Sequence, residues 1–332
     1  MQLLDTSENP LPPGSETTWV VTEDGVRLRT AFWPRLAGRP QRGTVLVFQG
    51  RAEFIEKYFE TVGELRERGF AVAAFDWRGQ GGSDRALADR RRGHVRRFED
   101  FRLDAEAVLR HLAARGDPGP VVGLAHSMGG CIALTGAAEG WLPLDRLVVT
   151  SPMLALRLVR RPRLVRATAW TLARLGLRTR FVPGGPACSI STLPFPGNRL
   201  CTDPVRYGRN AAVATALGWG AIGAPTVGWL LAAYAAMDRL AAPGMAGRIR
   251  MPVLIVAAGA DPVCATEATE RFAAELRRGT LVVVPGARHE VLMETDALRQ
   301  VFWEAFDRFL GSGSAEAPAP APQRASISST VA

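Results

Sequence analysis

Short buried β-type runs alternate with amphipathic helical patterns along most of this 332-residue sequence. The predicted strands are 45–48, 71–75, 120–124, 147–150, 253–257 and 281–284, and the predicted helices are 58–68, 98–114, 130–138, 267–277 and 296–310. Strands that alternate with helices predict an α/β fold with a mostly parallel, doubly wound sheet and helices on both faces. Residues 19–21 and 26–32, separated by Asp24-Gly25, predict an antiparallel hairpin at the sheet edge.

One long segment interrupts this alternation with helices and loops rich in proline and glycine. We interpret it as a helical cap inserted into the core. The predicted order is an N-terminal extension (1–17), the first part of the core (18–152), the cap (153–250), the second part of the core (251–311) and a tail (312–332). The tail is too poor in large apolar side chains to offset the entropy of ordering, so we expect it to be disordered.

Neither a membrane span nor a secretory signal is predicted. Residues 210–237 carry no charge, but several glycines and a break near Pro225 predict two short helices instead of one span. Residues 1–15 lack a basic region followed by an apolar run, so a reducing cytoplasm is the expected compartment. No CxxC or Cys/His spacing is present, so neither a metal nor a cofactor is expected.

The positive charge of the chain is concentrated in the predicted cap. The net charge is +9, and residues 155–250 hold 14 arginines against two aspartates, which leaves +12 there and −3 elsewhere. A basic, apolar insertion favours an anionic membrane surface or a phosphate-bearing substrate as partner, and nucleic acid is not expected. The oligomeric state is left open.

The run Val121-Val122-Gly123-Leu124-Ala125-His126-Ser127-Met128-Gly129-Gly130 combines a strand, a tight turn and a helix start with small residues. This pattern is typical of a nucleophile elbow, in which a strained turn raises the hydroxyl of Ser127 above the sheet. The usual pattern is G-x-S-x-G, and Ala125 replaces its first glycine. A serine at an ordinary helix N-cap is the alternative, but the surrounding strand and helix favour the nucleophile.

A serine nucleophile requires a base, and the base requires an acid that orients it. The other histidines are His94 in a solvated, arginine-rich loop, His111 in mid-helix and His126 beside the serine, where adjacent side chains diverge. His289 instead follows the last strand, at the sheet edge where doubly wound folds assemble their sites. Asp261 follows the preceding strand and completes the order Ser127, Asp261, His289. The alternative for Asp261 is a solvated loop aspartate.

The oxyanion that forms when a serine attacks a carbonyl needs backbone N–H donors already in place. The N–H of Met128 is one candidate, because it follows the nucleophile at the positive end of a helix. The N–H of Arg51, in the turn after the first parallel strand, is the other.

Three motifs, Q-G-R-A-E-F-I-E-K-Y at 49–58, D-W-R-G-Q-G-G-S at 76–83 and the H-S-M-G-G elbow, resemble one branch of the α/β-hydrolases. It is the branch of bacterial lysophospholipase L2 and the monoacylglycerol lipases. The resemblance covers about residues 18–310 and implies hydrolysis of a single-chain acyl ester beneath a helical cap. The triad and oxyanion residues named above match the family positions. Gln49 replaces the histidine usual in monoacylglycerol lipases, which argues against that subgroup, and Asp76 and Arg78 are expected to be structural.

The expected function is therefore that of a serine hydrolase that cleaves the acyl ester of a lysophospholipid. A monoacylglycerol lipase or a general carboxylesterase is the alternative, and a silent ligand-binding protein with the same pocket is the non-enzymatic one. Acyl length, headgroup and transfer to an alcohol instead of water are left open.

Residues 162–178 project as a helix with one basic face and one apolar face. The basic face carries Arg163, Arg166, Trp170, Arg174 and Arg178, and the opposite face carries Leu164, Val165, Leu172 and Leu175. We hypothesise that the basic face binds an anionic membrane, on the inner side of the cell membrane, and helps to deliver a lysolipid to the pocket. A solvated arginine face over a buried core is the equal alternative.

Overall fold

The computed structural model of the chain describes residues 2–117 and 119–311, so the tail predicted at 312–332 lies outside the described residues. The described residues form eight strands. They are β1 (Glu16–Val21), β2 (Arg27–Trp33), β3 (Thr44–Phe48), β4 (Ala71–Phe75), β5 (Val121–His126), β6 (Arg146–Thr150), β7 (Val253–Ala258) and β8 (Gly279–Val284). All eight belong to one sheet in the order β1-β2-β4-β3-β5-β6-β7-β8.

The sheet is parallel except at one edge. β3, β4, β5, β6, β7 and β8 pair in parallel with their neighbours, whereas β2 runs antiparallel to both β1 and β4. The predicted antiparallel hairpin is therefore confirmed, and β1 is the edge strand. Parallel strands align their carboxyl ends, so the loops after β3, β5, β7 and β8 meet along one edge of the sheet.

The helices occur between the strands, as the alternation predicted. They are α1 (Phe59–Glu67), α2 (Asp100–Arg115), α3 (Met128–Glu139), α4 (Pro162–Arg174), α5 (Pro204–Leu217), α6 (Val227–Leu240), α7 (Thr266–Ala274) and α8 (Asp296–Leu310). Most bounds lie within two residues of the prediction. The helix predicted at 267–277 ends at Ala274, because β8 begins at Gly279 and the chain must turn in between.

The core has one apolar layer on each side of the sheet. In β3, Leu46 and Phe48 join the layer formed with α2 and α3, while Val45 and Val47 join the layer formed with α1 and α8. This separation follows from the two-residue period of side chains along a strand. Both faces of the central strands are therefore covered, as parallel sheets require.

Buried ion pairs and hydrogen bonds hold the loop after β4. The carboxylate of Asp76 accepts from Arg29 Nε at 2.6 Å, from the N–H of Ile55 at 3.0 Å and from the N–H of Gly82 at 2.7 Å. Arg78 is paired with two aspartates. Both side chains therefore have structural contacts, in agreement with the expectation for them.

Residues 151–252, between β6 and β7, hold α4, α5 and α6, and we call them the β6–β7 segment. α5 begins where the side chain of Asp203 accepts two backbone N–H groups, and Thr226 caps α6 in the same way. Two helices separated near Pro225 are thus confirmed for the uncharged stretch. Within residues 2–117 and 119–311, no helix combines the length and apolarity needed to cross a membrane.

The β6–β7 segment also carries most of the exposed apolar surface. Nine of the eleven exposed large hydrophobic side chains of the described chain belong to it. They are Leu158, Leu164, Trp170, Leu175, Leu177, Ile190, Leu193, Val205 and Trp219. Single exposed hydrophobic side chains are ordinary, but in this chain they are concentrated in one segment.

Candidate active site

Ser127 lies on the sharp turn between β5 and α3. Its φ of +50° and ψ of −111° form a conformation that L residues rarely adopt. The turn presses α3 against the sheet, since a Cβ at Gly129 would lie 2.1 Å from the carbonyl oxygen of Phe48. A Cβ at Gly130 would lie 2.7 Å from Val149. The small residues of the motif are therefore required by the close approach of helix and strands.

Ser127, His289 and Asp261 form a continuous chain of hydrogen-bonding side chains. Ser127 Oγ lies 2.9 Å from His289 Nε2, and His289 Nδ1 lies 2.8 Å from Asp261 Oδ2. The loops after β5, β7 and β8 supply the three residues, so the carboxyl edge of the sheet brings them together. None is more than 8% exposed. In this geometry Nε2 of His289 can accept the hydroxyl proton of Ser127.

Asp261 is anchored as an ionised carboxylate. Its Oδ1 accepts the N–H groups of Val263 and Cys264 at 2.8 and 2.9 Å. Burial opposes its ionisation, but the hydrogen bond and charge of His289, with these two N–H groups, hold the pKa of Asp261 below its usual value. The carboxylate therefore favours the tautomer of His289 with a proton on Nδ1, which leaves Nε2 free as an acceptor.

Two of the remaining histidines have partners of their own. His126 bonds away from Ser127, as expected for adjacent side chains on a sharp turn, but its ring centroid lies 4.9 Å from that of His289. Its Nδ1 lies 2.9 Å from Thr150 Oγ1, and burial lowers its pKa to about 3, so it is a weak base at neutral pH. His94 is half-buried, with Nδ1 2.8 Å from Thr226 Oγ1, and is not part of a solvated loop.

The two backbone N–H groups that flank Arg51 in the loop after β3 already have acceptors. The N–H of Gly50 donates to the carboxylate of Glu53, and the N–H of Ala52 donates to the side chain of Gln80 at 3.2 Å. Among the described residues, the N–H groups of Arg51 and Met128 have no acceptor within the protein. Both are therefore available to bind an oxygen atom beside the serine.

A buried acid–lysine cluster lies beneath this loop, and sequence reasoning missed it. Lys57 Nζ lies 2.6 Å from Glu53 and 2.6 Å from Glu290, and its side chain is 3% exposed. The hydroxyl of Tyr58 donates to Glu53 at 2.7 Å. Glu53 belongs to the loop after β3, and Glu290 adjoins His289, so a single ammonium group joins the two loops of the site. The signal in the sequence was that Lys57 is the only lysine among 41 basic residues.

The one ammonium and the two carboxylates of this cluster shift the pKa values of one another. Burial opposes ionisation of Glu53, but the charge of Lys57 and the groups around it lower the pKa of Glu53 to about 2. The two carboxylates keep the pKa of Lys57 above its usual value despite burial. Glu53, His126 and Glu290 lie as close together as metal ligands do, but the ammonium of Lys57 already bonds to both carboxylates.

A cavity of about 920 Å³ opens onto Ser127. Its walls come from the core loops and from the β6–β7 segment, and most of the lining is apolar. Leu158, Leu164 and Leu193 both line the cavity and are exposed, so they lie at its mouth. The four cysteines are free thiols, and Cys188 is the exposed one and also lines the cavity.

The basic helix predicted at 162–178 is shorter than its helical projection assumed. α4 ends at Arg174, so Leu175 and Arg178 lie outside it. Ala169 is its one buried residue, and Val165 and Leu172 pack against the core, whereas Leu164 is 58% exposed, so only part of the apolar face covers the core. None of the four residues of this helix expected to bind substrate or membrane lines the cavity at Ser127. They are Arg163, exposed; Arg166, bonded to Asp238 and over Tyr234; Trp170, 57% exposed; and Arg174, over Trp170.

Comparison with known protein families identifies the family of this chain. A family model described as Hydrolase_4 (serine aminopeptidase, S33) matches residues 39–296. The chain belongs to this α/β-hydrolase family. The match spans the strands that supply all three residues of the hydrogen-bonded chain.

The chain is similar to curated relatives and to solved structures over most of its length. It is 32% identical to "Lysophospholipase L2" of Escherichia coli (strain K12), over 80% of this chain and 79% of that protein. It is 26% identical to "Probable lysophospholipase L2" of Haemophilus influenzae, over 81% and 84%. A soluble variant of monoglyceride lipase from Saccharomyces cerevisiae shares the fold, with a TM-score of 0.70, 21% identity, and 91% and 96% of the two chains covered. The family match and the curated relatives together identify the chain as a carboxylic ester hydrolase.

Proposed function

We propose that the protein is a lysophospholipase that hydrolyses the acyl ester of a single-chain phospholipid through Ser127, His289 and Asp261. The observation that carries this proposal is the hydrogen-bonded chain from Ser127 Oγ to Asp261 at the base of a largely apolar cavity. The cavity can accept an acyl chain, and the hydrogen-bonded chain can activate the serine.

The first half of the reaction forms an acyl-enzyme. Ser127 Oγ attacks the ester carbonyl carbon while its proton moves to His289 Nε2. The carbonyl oxygen becomes an oxyanion that accepts the N–H groups of Arg51 and Met128. When the tetrahedral intermediate collapses, the ester C–O bond breaks and His289 gives its proton to the departing glycerol oxygen. Asp261 stabilises the imidazolium in between and keeps its own charge.

The second half releases the fatty acid. Water enters the space left by the alcohol and gives a proton to His289 Nε2 as its oxygen attacks the acyl carbonyl carbon. The same two N–H groups bind the second oxyanion, and its collapse breaks the bond between the carbonyl carbon and Ser127 Oγ. His289 returns the proton to Ser127. Each oxyanion donor contributes about 10²- to 10³-fold to the rate in comparable sites.

A lysophospholipid is favoured over a neutral monoacylglycerol by two observations. The curated relative with 32% identity carries the name lysophospholipase. Gln49 replaces the histidine usual in monoacylglycerol lipases, and its buried side-chain amide has no hydrogen-bond partner. Both lipids offer one acyl chain, so the choice between them depends on the headgroup. A monoacylglycerol lipase is the second candidate, supported by the shared fold.

The β6–β7 segment serves, in this proposal, as a cap that docks on an anionic membrane. Three exposed leucines at the cavity mouth can contact lipid chains, and Trp170 can lie at the headgroup level. Arg163 is exposed and can pair with a lipid phosphate, whereas Asp238 already neutralises Arg166. Each arginine near an anionic surface contributes about 1 kcal/mol, and salt screens the attraction.

The test is the release of one fatty acid from matched substrates. Lysophosphatidylethanolamine, lysophosphatidylglycerol and monoacylglycerol with the same acyl chain are compared by kcat/KM, with Ser127→Ala as the control for contaminating activity. We expect a lysophospholipid to have the highest kcat/KM and Ser127→Ala to abolish release. A tenfold preference for the monoacylglycerol would select the second candidate instead.

A further inference from the structure

Arg51 contributes a second functional group to the cavity besides its backbone N–H. Its guanidinium lies with Cζ 4.9 Å from the ring centroid of Trp229, and Nη2 donates to the carbonyl oxygen of Gly223 at 2.8 Å. Its Nε is buried and has no hydrogen-bond partner. The residue lines the same cavity as Ser127.

Some of the described buried arginines form ion pairs with carboxylates of the protein. Arg29 binds Glu56 and Asp76, for example, and Arg299 binds Glu60 and Glu64. No ion pair within residues 2–117 and 119–311 reaches Arg51, and burial lowers its pKa to about 9, so it remains a cation at neutral pH. Arg66 and Arg85 also lack an ion pair among the described residues, but they donate to backbone carbonyl oxygens and do not line the cavity. Arg51 differs because it lies on the cavity wall and its Nε has no acceptor, an arrangement that suits an anionic ligand.

The nearby carboxylates do not serve this purpose. Glu53 and Glu290 also line the cavity, but both are bonded to Lys57 at 2.6 Å. Arg199 is the other arginine of the lining, and no ion pair in the part of the chain that the structure describes joins either arginine to a carboxylate. The acids of the wall therefore bond to Lys57 and not to Arg51.

We propose that the side chain of Arg51 binds the phosphate of the substrate headgroup while its backbone N–H binds the ester carbonyl oxygen. This inference rests on the proposed function, because it names the headgroup contact of that reaction. Three glycerol carbons separate the ester from the phosphate of a lysophospholipid, a span comparable to the arginine side chain itself. The backbone and the side chain of one residue can thus bind the two groups at the same time. Arg51 acts as a specificity residue that discriminates a phospholipid from a neutral ester.

The first experiment compares two substrates that differ only in the phosphate. For lysophosphatidylethanolamine and monoacylglycerol with one acyl chain, Arg51→Met should lower the kcat/KM ratio roughly tenfold to hundredfold, as expected for a charge-assisted hydrogen bond. Arg51→Lys keeps the charge and should recover part of the ratio. Equal losses on both substrates would reduce Arg51 to a structural tie between its loop and Trp229, and would overturn the inference.

Arg85 provides a matched control for the structural effect. It is also largely buried, donates to the carbonyl oxygens of Gly81 and Ser83 at 2.7 Å, and lies with Cζ 5.2 Å from the ring centroid of Trp219. It does not line the cavity. Arg85→Met should therefore leave the substrate ratio unchanged, even where it lowers stability. A change in the ratio as large as that of Arg51→Met would contradict the headgroup contact.

The second experiment separates this inference from the proposed function. Hydrolysis of a short p-nitrophenyl ester is measured with glycerol 3-phosphate, inorganic phosphate or glycerol as inhibitor. Glycerol 3-phosphate should inhibit the wild type more strongly than glycerol, and Arg51→Met should weaken that inhibition at least tenfold.

Inhibition by inorganic phosphate as strong as that by glycerol 3-phosphate would indicate a free-anion site and overturn the headgroup contact. If the wild type does not hydrolyse lysophospholipids but is inhibited by glycerol 3-phosphate, the proposed function alone is refuted. A wild type inhibited equally by glycerol and glycerol 3-phosphate refutes the role of Arg51.

Discussion

Replacing Lys57 by methionine should destabilise the protein more than any single surface change. The substitution keeps an unbranched side chain of similar length but removes the only cation between Glu53 and Glu290, both of which lie 2.6 Å from it. Removing one partner of a buried ion pair costs about 3–5 kcal/mol, because the remaining charge is left without compensation. The free energy of unfolding of ordinary domains is about 5–15 kcal/mol, so this loss is a large fraction of the total.

The assay is equilibrium unfolding in urea, with the free energy of unfolding compared at one pH. Arg27→Met is the matched control, because Arg27 pairs with Asp84 at 3.0 Å but is 59% exposed. An exposed pair contributes about 0–1 kcal/mol, so the control should unfold close to the wild type. Lys57→Met together with Glu290→Gln removes one uncompensated carboxylate and should regain at least about 1 kcal/mol.

The pH dependence provides an independent check of the same reasoning. Without Lys57, burial raises the folded-state pKa of Glu53 or Glu290 above its unfolded value, so stability is greatest at low pH and is lost as the pH rises through the folded pKa. Lys57→Met should therefore lose more stability at pH 8 than at pH 5. A loss below about 1 kcal/mol at pH 8, or a double variant no more stable than Lys57→Met, would refute the assignment of an essential buried cation.

The remaining predictions concern the site and the surface. His289→Ala and Asp261→Asn should each lower kcat about 10⁴-fold with little change in Tm, and near wild-type turnover in either would move the base or the acid elsewhere. In the folded state Glu53 has a pKa of about 2 against a usual value of 4.5, so its ionised form stabilises the protein above pH 4.5 and this contribution is lost as the pH falls towards 2. Glu53→Gln should flatten the pH dependence of urea unfolding in that window, and an unchanged curve would contradict it. Vesicle co-sedimentation should show binding to anionic lipid that weakens with salt and with the double change Arg163→Gln and Trp170→Ala, whereas equal binding to neutral vesicles would leave the charge as solvated surface.

The order of strands and helices was predictable because each element has its own period of apolar residues. The three residues of the hydrogen-bonded chain were predictable for a related reason. In a parallel sheet, residues that follow strands meet at one edge, so Ser127, Asp261 and His289 could be grouped without knowing the tertiary structure. Chain order and local spacing carried enough information for both.

The contacts between side chains distant in sequence were not predictable in the same way. A helical projection gives the direction of Leu164 or Arg166 but not what covers it, and the pairing of Arg166 with Asp238 across two helices came only from the structure. The cluster around Lys57 joins residues 53 and 290, and no local pattern connects them. The one usable signal was compositional, because a single lysine in an arginine-rich chain marks a position that arginine does not fill.

Cys188 makes the native enzyme ready for site-specific labelling. The other three thiols are buried, and burial raises the pKa of Cys131 to about 12 and that of Cys264 well above its usual value, so neither forms a reactive thiolate at neutral pH. A maleimide fluorophore would therefore attach at the cavity wall without any engineered cysteine. Its emission should respond when an acyl chain enters, which would record substrate binding before any bond is broken, in real time and in an unmodified sequence.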